Sequence, residues 1–179
     1  MTAFALDPLH SHVEFTVRHL MISKVRGSFT SFRVDLDVDE TTNLPTSVKA
    51  EIDANSIDTK VADRDNHLRS ADFFDVEKFP TLSFTSTKIS GAGDEFTIHG
   101  DLTIHGVTKP VTLKATFEGR GKDPWGGERV GYSAETKISR KEFGMTWNQA
   151  LETGGIAVGD EITISIAIEA VKVQTPAAV

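Results

Sequence analysis

Eight stretches of this chain alternate apolar and polar residues with period two. Successive side chains of a strand point to opposite faces, so strict alternation marks a half-buried strand. Eight such stretches in 179 residues, with one helix-like interruption, favour a single curled or closed antiparallel sheet. The reading is therefore all-β: one eight-stranded antiparallel β-barrel with a short helical segment near residues 58–75. No repeat, linker or low-complexity block divides the chain, so residues 1–179 form one domain.

The first strand is expected from His10 to His19, with Val13, Phe15, Val17 and His19 on one face. After a turn near Ser23-Lys24 a long strand from Val25 to Asp39 places Phe32, Val34, Leu36 and Val38 together. Phe29 has the other parity, which calls for a bulge near Ser31 and leaves open which parity faces inward there. Asn43-Leu44-Pro45 forms a turn. The remaining faces are Val48 to Ala54, Leu82 and Phe84, Phe96 to Ile104, Val111 to Phe117, Val130 to Ile138, and Ile162 to Ala170. The tail from Gln174 is expected to fray.

Between Ser56 and Pro80 the alternation stops. Asp58 or Thr59 can cap a short helix through about Leu68, and Ser70 to Phe74 can begin a second helical turn. Asp63, Arg64, Asp65 and Arg69 alternate in sign, which favours local pairing. Phe73 and Phe74 are the candidate ligand contacts of this plug. Adjacent positions point apart, so one of the two is left for the core.

The formal charge of −7 disfavours nucleic acid and anionic lipid as nonspecific partners. The absence of cysteine removes thiol chemistry. The N-terminus has no basic and long apolar segment of the secretory kind, and no run is long enough to span a membrane, so the expected location is cytoplasmic. Nucleophile elbow, phosphate loop and dinucleotide fingerprint are all missing from the sequence. Asp63 and Asp65 are the one acid pair an enzyme reading could use. Gly91-Ala92-Gly93-Asp94 and Gly126-Gly127 read as hairpin turns, and His105-Gly106 as another. His10 and His12 share usable metal spacing, and His19 lies on the same stretch, but no Cys or nearby carboxylate completes a zinc motif. No metal and no cofactor are expected.

Several blocks together carry a resemblance. They are Asp7-x-x-His10-Ser11-x-Val13-x-Phe15-x-Val17-x-His19, Val25-x-Gly27-x-Phe29, Ser56-Ile57-x-Thr59, Arg64-Asp65-x-His67-Leu68-Arg69-Ser70-x-Asp72-Phe73-Phe74 and Phe79-Pro80. Further on come Gly100-x-Leu102-Thr103-Ile104-His105-Gly106-Val107-Thr108-Lys109-Pro110-Val111, Arg140-x-x-Phe143-Gly144 and Val158-Gly159-Asp160. From Asp7 to Val173 the chain resembles the YceI-like family, also called polyisoprenoid-binding proteins. The resemblance implies a lipocalin-like barrel, a homodimer, and an apolar cavity for a polyprenyl chain, an isoprenoid quinone or its precursor, or another long-chain amphiphile. The periplasmic export of many relatives is not expected here.

The candidate ligand-binding residues on the strands are Phe15, Val17, Phe29, Phe32, Val34, Phe84, Leu102, Leu113, Tyr132 and Ile164. Phe143 to Gly159 forms a long loop, suited to a lid over the cavity mouth, with Phe143, Met145 and Trp147 as its contacts. Burial contributes about 0.8 kcal/mol per CH₂, so one isoprene unit supplies roughly 3–4 kcal/mol. About two or three units would match the roughly 8 kcal/mol of micromolar binding before costs. Two other classes compete with a lipid carrier: a dry-cored structural barrel, and an enzyme acting on a bound lipid.

Overall fold

The computed structural model describes residues 1–174, and the expectation of a frayed tail falls, from residue 175, outside the described residues. Its strands are β1 (Thr2–Leu6), β2 (His12–His19), β3 (Ser23–Phe29), β4 (Phe32–Val38), β5 (Pro45–Asp53) and β6 (Ile57–Asp58). Helix α1 (Ala62–Arg69) follows, then β7 (Thr81–Ala92), β8 (Glu95–Ile104), β9 (Val107–Lys122), β10 (Glu128–Ser139) and β11 (Val158–Lys172). All pairings are antiparallel. The order β1-β4-β5-β7-β8-β9-β10-β11 returns to β1, where Phe4 lies opposite Lys172 and Leu6 opposite Ala170, so eight strands close a barrel.

The three further strands are halves of broken staves or a short edge. β11 pairs with β1 near its C-terminus and with β2 over residues 158–167, so β1 and β2 run along it as one interrupted stave. The interruption is a 3₁₀ turn at Pro8–His10, where the Asp7 carboxylate accepts the Leu9 N–H at 3.0 Å. That turn shifts the parity, and the sequence pattern shows no strand before His10. The first strand accordingly starts at His12, not His10, and β1 is an addition.

The expected strand from Val25 to Asp39 is also two: β3 pairs with β2, and β4 with β1. The break at Thr30-Ser31 inserts the residue that the bulge required. Phe29 and Phe32 thus both turn inward despite opposite parity. β6 is a two-residue patch against Ser28 and Phe29.

Helix α1 is N-capped by Val61, whose side chain makes no capping bond, rather than by Asp58 or Thr59. Those two residues instead belong to β6 and the segment after it. Polar anchors seat the helix. Asp65 accepts the Thr59 N–H at 2.8 Å and the Thr59 hydroxyl at 2.5 Å. Arg69 donates to the carbonyls of Asn55 and Ile57, each at 3.0 Å. Ser70 is extended and ends the helix, so residues 70–74 form tight turns and not a second helical turn.

Two groups of buried side chains fill the ends of the barrel. One gathers Phe4, Val38, Phe96 and Val130 near the β1–β11 seam. The other gathers Val13, Ile57, Ile104 and Phe143 near α1. Outside the seam, Arg129 bridges Asp7 (2.6 Å), Glu169 (2.7 Å) and Asp123 (2.9 Å). Lys172 joins Glu40 at 2.5 Å and Glu128 at 3.1 Å, and Arg120 also holds Glu128.

Candidate ligand-binding cavity

Between the two packed ends lies a cavity with about 190 Å³ open to the centre of a water-sized sphere. Roughly 10–15 Å³ on that measure admits one water. Its exposed inner surface is apolar throughout, although Glu14, Ser133, Thr136 and Arg140 border it. It is elongated: Leu36, Val48 and Phe96 line one end, and Leu68, Phe74 and Met145 the other.

The alternation of the strands supplies the walls. Phe15 and Val17 of β2, Phe29 of β3, Val34 of β4, Phe84 of β7, and Leu102, Leu113, Tyr132 and Ile164 of the later strands all line the cavity. Two of the aromatic rings fit only because a glycine faces each. A Cβ on Gly27 would lie 2.3 Å from the Phe15 ring, and one on Gly100 would lie 2.3 Å from the Phe84 ring. Tyr132 donates its hydroxyl to the Asn43 carbonyl at 2.7 Å, and burial pushes the phenol up to about 12.

Phe73 and Phe74 both reach the cavity, because a turn rather than a strand carries them. Phe74 meets Phe29 edge-on at 5.8 Å, continuing the row from Phe15. Phe73 turns the other way, toward Trp147 at 5.3 Å and His67 at 5.1 Å.

Three expected contacts lie elsewhere. Phe32 packs between the two core groups and is not on the lining, because it opens β4 immediately after the corner. Phe143 is 1 % exposed and sits within the core near α1, in a 3₁₀ turn (Arg140–Phe143) closed by left-handed Gly144. Trp147 stands one layer out: its ring meets His67 at 4.7 Å and backs Phe73, which does line the cavity. Met145 of the same loop is on the lining and 5 % exposed.

Arg140 holds that loop, a role the pattern of apolar faces did not reveal. The residue is 2 % exposed and donates to four carbonyls: Gly159 (2.8 Å), Met145 (2.8 Å), Trp147 (2.9 Å) and Val158 (3.2 Å). Burial lowers its pKa from the usual arginine value, and Asp160 opposes that effect. Asn148 adds a reciprocal pair with Val158, donating at 2.7 Å and accepting at 3.1 Å. The loop is thereby pinned at its neck.

The polar candidates do other work. Asp65 is committed to Thr59, as described. Among the described residues His10, His12 and His19 do not converge. His10 instead lies with Asp7 and Glu169, its Nδ1 at 3.0 Å from Asp7. Arg129 occupies both of those carboxylates, which makes the group an ion-pair network. Among the described residues no helix is long and apolar enough to cross a membrane.

A closed antiparallel barrel around an apolar cavity, covered at one end by a helix and a pinned loop, defines a lipocalin-like cavity barrel. Comparison with known proteins makes the assignment particular. The chain belongs to the YceI-like domain family, whose model matches residues 4–170. It is 43% identical over 163 residues to Protein YceI of Salmonella newport, covering 91% of this chain and 82% of that protein. The crystal structure of a Campylobacter jejuni YceI protein is 32% identical, with a TM-score of 0.77, over 88% of this chain and 90% of that one. A polyisoprenoid binding domain from Saccharophagus degradans shares the fold at 12% identity and a TM-score of 0.68, over 97% of this chain and 100% of that domain.

Proposed function

We propose that this chain binds the apolar tail of an isoprenoid, such as a polyprenyl chain or an isoprenoid quinone or its precursor, or of a similar long-chain amphiphile. Its role is then transport, storage or sequestration, and no covalent step is involved. The observation that carries the reading is the elongated cavity whose inner surface is apolar from Leu36 to Met145. A wet cavity of this size would need polar partners for each water, and an apolar guest needs none. The cavity also weighs against a dry-cored barrel. The likeness in fold to a polyisoprenoid binding domain supports the same class of ligand.

Burial supplies affinity with little selectivity. Chain length would be read by the distance between the Phe96 end and the Met145 end. The test is organic extraction of gently purified protein followed by mass spectrometry. A stoichiometric long-chain species is the expected result. An empty extract, together with no uptake of added isoprenoid quinone or fatty amide, would overturn the reading.

A further inference from the structure

The β2–β3 hairpin has an unusual tip. Leu20 and Met21 have φ of 50° and 61°, and the Ile22 N–H donates to the His19 carbonyl at 3.2 Å. Within the three-residue loop between His19 and Ser23, the two left-handed central residues make a mirror-image β-turn, which favours Asn-Gly. Bulky apolar side chains are disfavoured in that backbone. They also gain little burial here: Met21 is 61% and Ile22 82% exposed. A turn needed only to connect two strands has no use for Leu-Met-Ile.

The patch continues onto the neighbouring loop. Leu20 donates its N–H to the Ala157 carbonyl at 2.8 Å, Met21 lies against Gly155, and Ile156 is also exposed. This is the end of the barrel where Met145 and Val158 line the cavity.

Charge gives an independent signal. Directly below the tip, Arg18 and Lys24 face each other across the ladder, and Arg26 lies opposite Thr16. All three are exposed, and among the described residues none is in an ion pair. Like charges opposite one another weaken a hairpin. The acids on the adjoining strands have other partners: Glu161, in the β11 bulge beside Arg18, pairs with Lys137, Asp160 accepts from Ser139 and the Lys141 N–H, and Asp58, opposite Ser28, pairs with Lys60. An apolar tip with a cationic collar matches the interface of an anionic bilayer, acyl chains below and phosphates above.

We propose that Leu20, Met21, Ile22 and Ile156 insert into the surface of an anionic lipid bilayer, with Arg18, Lys24 and Arg26 on the headgroup phosphates. Docking in this way brings the helix-and-loop end of the barrel to the membrane. It goes beyond the ligand reading and does not depend on it, because association with vesicles is scored whatever the cavity holds. It also refines the expectation from net charge alone, since the cations are local.

The experiment is flotation with phosphatidylcholine vesicles, with and without added phosphatidylglycerol. The protein is expected to float with the anionic vesicles and to be released by salt. Leu20→Asn/Met21→Gly suits the turn and keeps the hairpin folded, and is expected to lose vesicle binding at least about tenfold. Arg18→Ser and Lys24→Ser are each expected to lose about fivefold. Trp125→Ser, in the exposed β9–β10 hairpin at the opposite end of the barrel, is expected to change nothing. No flotation with anionic vesicles at low salt overturns the proposal, as does undiminished flotation of Leu20→Asn/Met21→Gly. A dimer seen by sedimentation that this variant dissociates, without vesicle binding by the parent, would reassign the patch to a second copy and also overturn it.

Discussion

The ring of Phe15 lies over Gly27, its direct partner across the β2–β3 ladder, and only a missing side chain makes room for it. The ring forms cavity wall on its other side. On the β7–β8 side the Phe84 ring lies likewise over Gly100, its diagonal neighbour across the ladder. Each glycine lets an aromatic ring lie back into the sheet, and the space so gained belongs to the cavity.

Replacing Gly27 with Ala should therefore push Phe15 toward the cavity. Overpacking of this kind costs about 1–3 kcal/mol. Chemical denaturation should show that loss, and binding of an apolar dye should weaken in parallel. Unchanged stability and dye binding would mean that the Phe15 ring finds another place.

Trp147 covers the cavity through Phe73 and His67 without touching the space itself. Two edge-on or tilted aromatic contacts of about 0.5–1.5 kcal/mol each are lost in Trp147→Ala. Dissociation of a bound dye, followed by stopped flow, should accelerate about tenfold, with a smaller change in equilibrium affinity. Equal dissociation rates would show that ligand leaves by another route.

Arg140→Leu removes the donor shared by four loop carbonyls. The expected loss of stability is about 3 kcal/mol, because buried acceptors are left unmatched. Hydrogen exchange over residues 144–159 should accelerate more than exchange in β8 and β9. Arg140→Lys should rescue little, since an ammonium cannot span the four acceptors of a planar fork.

The seam gives a pH dependence. The Arg129 guanidinium, with His10, holds the Asp7 carboxyl down to about 2, and Lys172, with Thr2, holds Glu40 down to about 2. Asp123 and Glu128 are lowered as well, chiefly by Arg129 and Arg120. Carboxylates lowered in the folded state stabilise it fully above their unfolded pKa, and that contribution is lost as pH falls through the folded value. Thermal melting should therefore show Tm dropping between pH about 4.5 and about 2. In Arg129→Gln the drop should be shallower, because the largest cause of the lowering of both Asp7 and Asp123 is removed.

Period-two alternation made the eight staves legible, because a half-buried sheet imposes it on every strand that lines the barrel. It could not show β1, since the 3₁₀ turn at Pro8–His10 resets the phase between two halves of one stave. The same limit merged β3 and β4, though the conflicting parity of Phe29 and Phe32 marked the corner. Strand residues were legible as cavity wall for the same reason. Loop residues obey no period, so Met145 and Trp147 could be named but not assigned to separate layers. Arg140 lies one position past β10 and bonds only to backbone, so the block Arg140-x-x-Phe143-Gly144 contained it without showing what it holds.

The seam also sets the order in which the molecule can be made. Among the described residues β1 is the first strand and β11 the last, and each is the other's neighbour in the ring. A nascent chain halted before β11 holds a sheet with two raw edges, β1 with β2 on one side and β10 on the other. Contacts of such long sequence separation form slowly. The apolar interior is therefore open to the surroundings until β11 has been made and docks between β10 and the β1–β2 stave.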